Sequence, residues 1–190
     1  MQELPYILKD TAAGISPVSL KDAFFNERRT IFLYGQINQE SAQSVLMELE
    51  YLDEMSHDDI TILIHSPGGS ASDGLILYDA IQRAQSKIIT VCTGLAASMA
   101  SILFVSGDHR IIYPHGEILI HDPLIPETGG SALSLSRTTD RLLTLREEMA
   151  KIYESHTGLS KKKILAMTEK ETIMNAEEAV QLHFADEILQ

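Results

Sequence analysis

The run Ile88-Ile89-Thr90-Val91-Cys92, followed after Thr93 by Gly94-Leu95-Ala96-Ala97-Ser98-Met99-Ala100-Ser101, decides how this chain is read. The first five residues have the composition of a buried strand. The next eight are small, and they predict a passage into a helix that starts near Ser98. A serine at that point has no bulky neighbour to hide its hydroxyl. The free N–H groups of a helix start can stabilise an oxyanion. The same run also suits plain close packing, in which Ser98 is only a small residue against a sheet. It is not a G-x-S-x-G elbow, since Ala96 and Ala100 take the glycine positions, and no lysine stands three residues after Ser98.

Working outward, strand and helix alternate. Ile31 to Tyr34 and Ile60 to Ile64 read as strands. Between them Asn38 is a suitable N-cap for a helix with Ala42, Val45, Leu46, Leu49 and Leu52 on one face. The turn Ser66-Pro67-Gly68-Gly69-Ser70 ends the second strand, and a helix follows from about Ser72 to Ala84. Beyond Ser98, Arg110–Tyr113 and Glu117–Ile120 read as strands, the latter closing on His121. Gly129-Gly130 closes a loop before a long helix, Ala132 to His156, that stops at Thr157-Gly158. A short helix near Ser160–Met167, a polar turn and a helix from Ala176 complete the pattern. Residues 1–30 are mixed, and Thr11 to Pro17 read as loop. The alternation implies βαβ units and a largely parallel sheet. The apolar strands predict burial on both faces.

Composition narrows the function. The 190 residues suit one domain. A net charge of −12 argues against nucleic acid and against an anionic membrane surface. The single cysteine, Cys92, excludes an internal disulfide and fits a reducing compartment. The run Leu95 to Val105 falls well short of the ~20 residues a membrane helix needs. No secretory leader is legible at Met1-Gln2-Glu3-Leu4-Pro5, so a cytoplasmic location is expected. The seven histidines form no H-E-x-x-H or similar spacing, so no metal is expected, and no phosphate-loop motif is present. A serine at a helix start, a Gly-Gly turn before it and a histidine after it suggest serine hydrolase chemistry.

The four motifs in order, Ser66-Pro67-Gly68-Gly69, Gly94 to Ala100, Ile120-His121-Asp122-Pro123 and Thr157-Gly158, resemble the Clp protease proteolytic subunit (ClpP) family. The likeness runs from about Arg28 to the C-terminus, with Met174 to Ala179 as a late landmark. It implies the ClpP/crotonase-type α/β fold over residues 1–190, with an N-terminal axial loop segment at 1–27 and a ring-contact strand and long helix at about 122–156. It implies Ser98 as nucleophile, His121 as general base, and the N–H groups of Gly68 and Met99 as the oxyanion hole. Ser70 and Leu124 would hold an extended peptide by strand addition. The acid of the triad falls on Glu171, where the family usually has aspartate. No cofactor is implied. The resemblance further implies two stacked seven-membered rings, a separate AAA+ Clp ATPase and unfolded polypeptide substrates.

Several positions depart from the family pattern. Glu169 and Lys170 replace an acid–arginine pair that helps join two rings, and lysine makes no bidentate contact. Leu133, Ser134, Ser136 and Arg137 stand on the first turns of the long helix. Thr61 and Leu63 occupy positions where tyrosines line the ATPase-docking pocket. These departures raise a second expectation, a weakly active or structural ring subunit paired with a paralogous ring. A crotonase-like acyl-CoA enzyme shares the fold and is a third, but it needs no Ser-His pair.

Overall fold

The computed structural model describes residues 5–11, 14–124 and 130–190. Met1–Leu4, Ala12-Ala13, and residues 125–129 within the expected ring-contact strand lie outside the described residues.

The described residues form nine strands and seven helices. They run β1 (Tyr6–Thr11), β2 (Gly14–Ser19), α1 (Leu20–Arg28), β3 (Thr30–Tyr34), α2 (Gln39–Met55), β4 (Ile60–Ser66), α3 (Ala71–Arg83), β5 (Ile88–Ala97) and α4 (Met99–Val105). Then come β6 (His109–Ile112), β7 (Glu117–Ile120), α5 (Ala132–Thr157), α6 (Lys161–Glu169), β8 (Thr172–Asn175), α7 (Ala176–Gln181) and β9 (Glu187–Ile188). The sheet order β3-β4-β5-β6-β9 is parallel throughout, as the βαβ pattern implies. One edge of β5 is shared. β6 pairs with Ile89–Cys92 and β7 with Leu95–Ala97, so β5 passes from one partner to the other along its length. β8 adds antiparallel to β7.

The expected elements form for the expected reasons. Asn38 caps α2 through a reciprocal box with Ser41. Ser70 caps α3 and Gly158 ends α5 at φ 72°. Four expectations change. The stretch 1–27, read as a loop segment, contains the β1–β2 hairpin and most of α1, with Ser19 accepting from the Asp22 N–H as N-cap. Pro17 stands in β2, which a two-stranded ribbon tolerates because one edge faces solvent. β5 does not stop at Cys92, because its small residues continue the ladder on β7. The polar turn before α7 contains β8. The strands are also not buried on both faces: β4 alternates, with Ile60, Ile62, Ile64 and Ser66 buried and Thr61, Leu63 and His65 more open.

The core lies between the sheet and helices α2 to α5. Every residue of α4 is buried. The long helix is divided. Its last turns bury Met149, Ala150, Tyr153 and Thr157, while its first half leaves Leu133 and Leu143 72% and 55% exposed.

One half-buried ionisable site bears on stability. His156, on the last turn of α5, meets the Tyr78 hydroxyl at 3.3 Å. Burial, and secondarily the nearby Arg110 charge, hold its imidazole below the usual 6.5. The unfolded chain therefore binds a proton first as pH falls, and the folded state loses stability below about pH 6.5. Asp186, despite the burial that pushes its carboxyl up, is held low by Arg110, so its loss comes at more acid pH. We expect His156→Gln to flatten the fall in urea midpoint between about pH 7 and pH 5. An unchanged slope would place the acid sensitivity elsewhere.

Candidate active site

Ser98 sits between β5 and α4 with φ 54° and ψ −123°. Such a conformation costs an L-residue about 1–3 kcal/mol and persists only where the surroundings impose it. They do so here from both sides. The Ser98 N–H donates to the Leu119 carbonyl on β7 at 2.8 Å. The Ser98 carbonyl accepts from the Ser101 N–H at 3.0 Å and from the Ser101 hydroxyl at 2.6 Å. At roughly 0.5–1.5 kcal/mol net each, these bonds balance the strain. The reversal leaves the Ser98 hydroxyl without a hydrogen bond among the described residues.

Gly68 and Gly69 frame the other side. Gly68 has φ 87°, and a β-carbon there would lie 2.5 Å from the Ala97 carbonyl oxygen and 2.8 Å from the Ser98 β-carbon. No side chain fits against this turn. Gly69, at φ 151°, bridges Ile37 in parallel fashion. The flanking bonds run from the Ile37 N–H to the Gly68 carbonyl and from the Ser70 N–H to the Ile37 carbonyl, each 2.9 Å. Gly69 therefore turns its own N–H away from Ile37, and that N–H is unbonded among the described residues. The expectation for Gly68 needs correction. Its N–H donates to the buried Ser66 hydroxyl at 3.0 Å and is already engaged. Sequence reading missed Gly69 because two adjacent glycines look alike until their partners are known.

Ser98, His121, Gly69, Ser70, Met99 and Leu124 line one cleft of about 510 Å³. Met149 of α5 lines it too, and sequence reading had no signal for that contact. The Leu124 side chain is 73% exposed. His121 directly succeeds β7. Its Nδ1 lies 2.5 Å from the carbonyl oxygen of Asp122. With Nδ1 donating there, Nε2 is left as the basic nitrogen. The carboxylate of Asp122 pairs with Arg146 of α5 at 2.8 Å, and the Asp122 N–H donates to the Thr168 carbonyl at 3.1 Å.

Glu171 is exposed at φ 52° just before β8, and its N–H donates to the same Thr168 carbonyl at 3.2 Å. The β7–β8 ladder pairs Leu119 with Ile173 and Ile120 with Thr172. One further step along that register sets Glu171 opposite His121. Among the described residues the Glu171 carboxylate makes no hydrogen bond or ion pair, and none links Ser98 to His121. Cys92 is no rival nucleophile. Burial pushes its thiol up to about 11, and it donates to the Glu117 carbonyl. No group of three or more potential metal ligands occurs among the described residues, and no described helix is long and apolar enough to cross a membrane.

Comparison with known proteins gives concordant matches. The family model for Clp protease covers residues 18–190. The ATP-dependent Clp protease proteolytic subunit of Bacteroides fragilis is 36% identical over 188 residues, spanning 97% of this chain and 90% of the relative. The ATP-dependent Clp protease proteolytic subunit 1 of Thermobifida fusca is 34% identical over 189 residues, 98% of this chain and 85% of the relative.

The strain at Ser98 has a measurable consequence. Glycine adopts its backbone angles freely, whereas alanine does not. We expect Ser98→Gly to be more stable than Ser98→Ala by about 1 kcal/mol in denaturant unfolding. Equal stabilities would mean that the turn stores no strain.

Proposed function

Because this chain belongs to the Clp protease family and is a peptidase subunit of that kind, we propose that it hydrolyses peptide bonds with Ser98 as nucleophile and His121 as general base. The observation that carries this reading is the convergence of the unbonded Ser98 hydroxyl, His121 and the Gly69 backbone in one cleft. In the reaction Nε2 of His121 takes the Ser98 proton as Oγ attacks the scissile carbonyl. The N–H groups of Met99 and Gly69 receive the oxyanion, Gly69 replacing Gly68 in that role. His121 then returns the proton to the leaving amine, and water releases the acyl group by the reverse sequence. Extended substrate lies between the Gly69-Ser70 segment and the segment ending at Leu124, taking backbone bonds from both.

Glu171 is the third member. Its register opposite His121 supports it, and the Asp122 carbonyl holds the same imidazole tautomer when Glu171 is turned away. A neutral carbonyl stabilises the imidazolium less than a carboxylate does. This arrangement also supports a second reading, in which the chain alone is weakly active and gains activity in an assembled particle.

That particle consists of two stacked heptameric rings, of this chain alone or mixed with a paralogous ring. It works with an AAA+ Clp ATPase on unfolded polypeptides in the cytoplasm. The projecting half of α5, with Leu133 and Leu143 exposed, supports a contact between subunits. Phe32 and Tyr34 support an ATPase-docking face. They stand in register beside Leu63 and His65, where they supply aromatic surface that Thr61 and Leu63 lack.

Ser98→Ala should abolish fluorogenic peptide hydrolysis and labelling by a fluorophosphonate while the protein stays folded. Near-normal turnover by a folded variant would remove Ser98 as nucleophile. Glu171→Ala should lower kcat/KM by about 100-fold or more, with Glu171→Asp retaining activity. If Glu171→Ala matches the parent, the Asp122 carbonyl alone orients His121.

Ring pairing depends on weak contacts. Exposed ion pairs give only about 0–1 kcal/mol each, and Lys170 forgoes the bidentate contact. In sedimentation at micromolar concentration we expect single rings, or an exchanging mixture, from the chain alone. A fourteen-subunit particle that resists dilution would show that this chain pairs its own rings.

A further inference from the structure

We propose that Ser101 and Tyr153 form a positioning pair that aims the Met99 N–H at the oxyanion. The inference rests on the proposed function, in which Ser98 attacks and Met99 donates.

The peptide between Ser98 and Met99 sets the geometry. A trans peptide is planar, with its carbonyl and N–H pointing in opposite directions. Fixing the Ser98 carbonyl therefore fixes the Met99 N–H. That carbonyl is gripped by the Ser101 hydroxyl at 2.6 Å, in addition to the Ser101 N–H. The Ser101 hydroxyl has one proton, and that proton is engaged with Ser98. The contact between Ser101 Oγ and the Tyr153 hydroxyl, 2.7 Å, must then run from Tyr153 to Ser101. A directed chain results, from the Tyr153 O–H to Ser101 Oγ and from the Ser101 O–H to the Ser98 carbonyl. Each bond polarises the next.

Both side chains are buried, Ser101 at 0% and Tyr153 at 1% exposure, so water cannot replace either partner. Burial also pushes the Tyr153 phenol far up, which keeps it a neutral donor. Its ring is held against Phe184 with centroids 5.6 Å apart. On the sheet side, Leu119 accepts from the Ser98 N–H and Gly68 stands close against the turn. Tyr153 is the contribution of α5, on the opposite side. Ser101 alone would still reach the Ser98 carbonyl, but its hydroxyl could rotate to other acceptors. The Tyr153 proton occupies the Ser101 lone pair and keeps the Ser101 proton aimed at Ser98.

The test uses the assembled protein with Tyr153→Phe, Ser101→Ala and the double variant. Thr90→Val is the control, since the Thr90 hydroxyl is a buried donor to the far end of α4, on Phe104. Peptide kcat and KM are measured with affinity for a peptide boronate, whose tetrahedral adduct places an oxygen in the oxyanion position. We expect Tyr153→Phe to lower kcat and boronate affinity together, about tenfold or more, with KM within about twofold of the parent. Ser101→Ala should lose at least as much, and the double variant no more than Ser101→Ala. Thr90→Val should lose stability and keep kcat. Variants that match the parent in kcat and boronate affinity, or that lose activity only as far as Thr90→Val loses it, overturn the positioning role. A parent protein that neither hydrolyses peptide nor binds boronate sinks the underlying reading instead, and the proposal with it.

Discussion

The reversal at Ser98 holds its residue at φ 54° and ψ −123°, and three elements must be in place before it can form. β7 supplies the carbonyl of Leu119 for its N–H. α4 supplies Ser101, which closes on its carbonyl. The loop after β4 supplies Gly68, the only residue type that fits against it. The local cost of the turn and the net gain of its bonds are similar in size. The turn is therefore held by the assembled fold, through β7, α4 and the loop after β4, and not by its own residues alone.

Docking of β4, β5 and β7 also builds the cleft. β5 carries two partners on one edge, and its passage from β6 to β7 comes where β4 and β5 slip register between Ile64 and Ser66. That slip opens the sheet where the Gly-Gly turn leaves β4 and where β7 delivers His121. Backbone groups that would have completed a ladder face the cleft instead. Gly69 shows this most directly, since its neighbours bond to Ile37 and its own N–H does not.

His121 is placed by the sheet and oriented by the carbonyl of Asp122, the next residue in the chain. The Thr168 carbonyl accepts from the N–H groups of both Asp122 and Glu171, which ties the segment after His121 to the turn that carries Glu171. Arg146 of α5 then holds Asp122. The long helix thus reaches the site at Asp122 through Arg146, at Ser98 through Tyr153 and Ser101, and at the cleft wall through Met149. Its first half has little of the chain to pack on, while its second half is core.

The sequence alone determined the alternation of elements, the capping residues Asn38 and Ser70, the stop at Gly158, and the small-residue run that exposes Ser98. Each rests on local chemistry: side-chain period, a side-chain oxygen for free N–H groups, a residue free to take positive φ. The position of Glu171 was legible only through family likeness, because a glutamate in a polar turn has no pattern of its own. Only the tertiary structure decided which glycine keeps a free N–H, because that depends on Ser66 and Ile37, distant partners of two residues identical in sequence. It alone decided that β5 runs on to Ala97, since Leu95 to Ala97 become strand through pairing with β7. It alone joined Ser101 to Tyr153, 52 positions apart, because a buried hydroxyl takes the partner that packing brings to it.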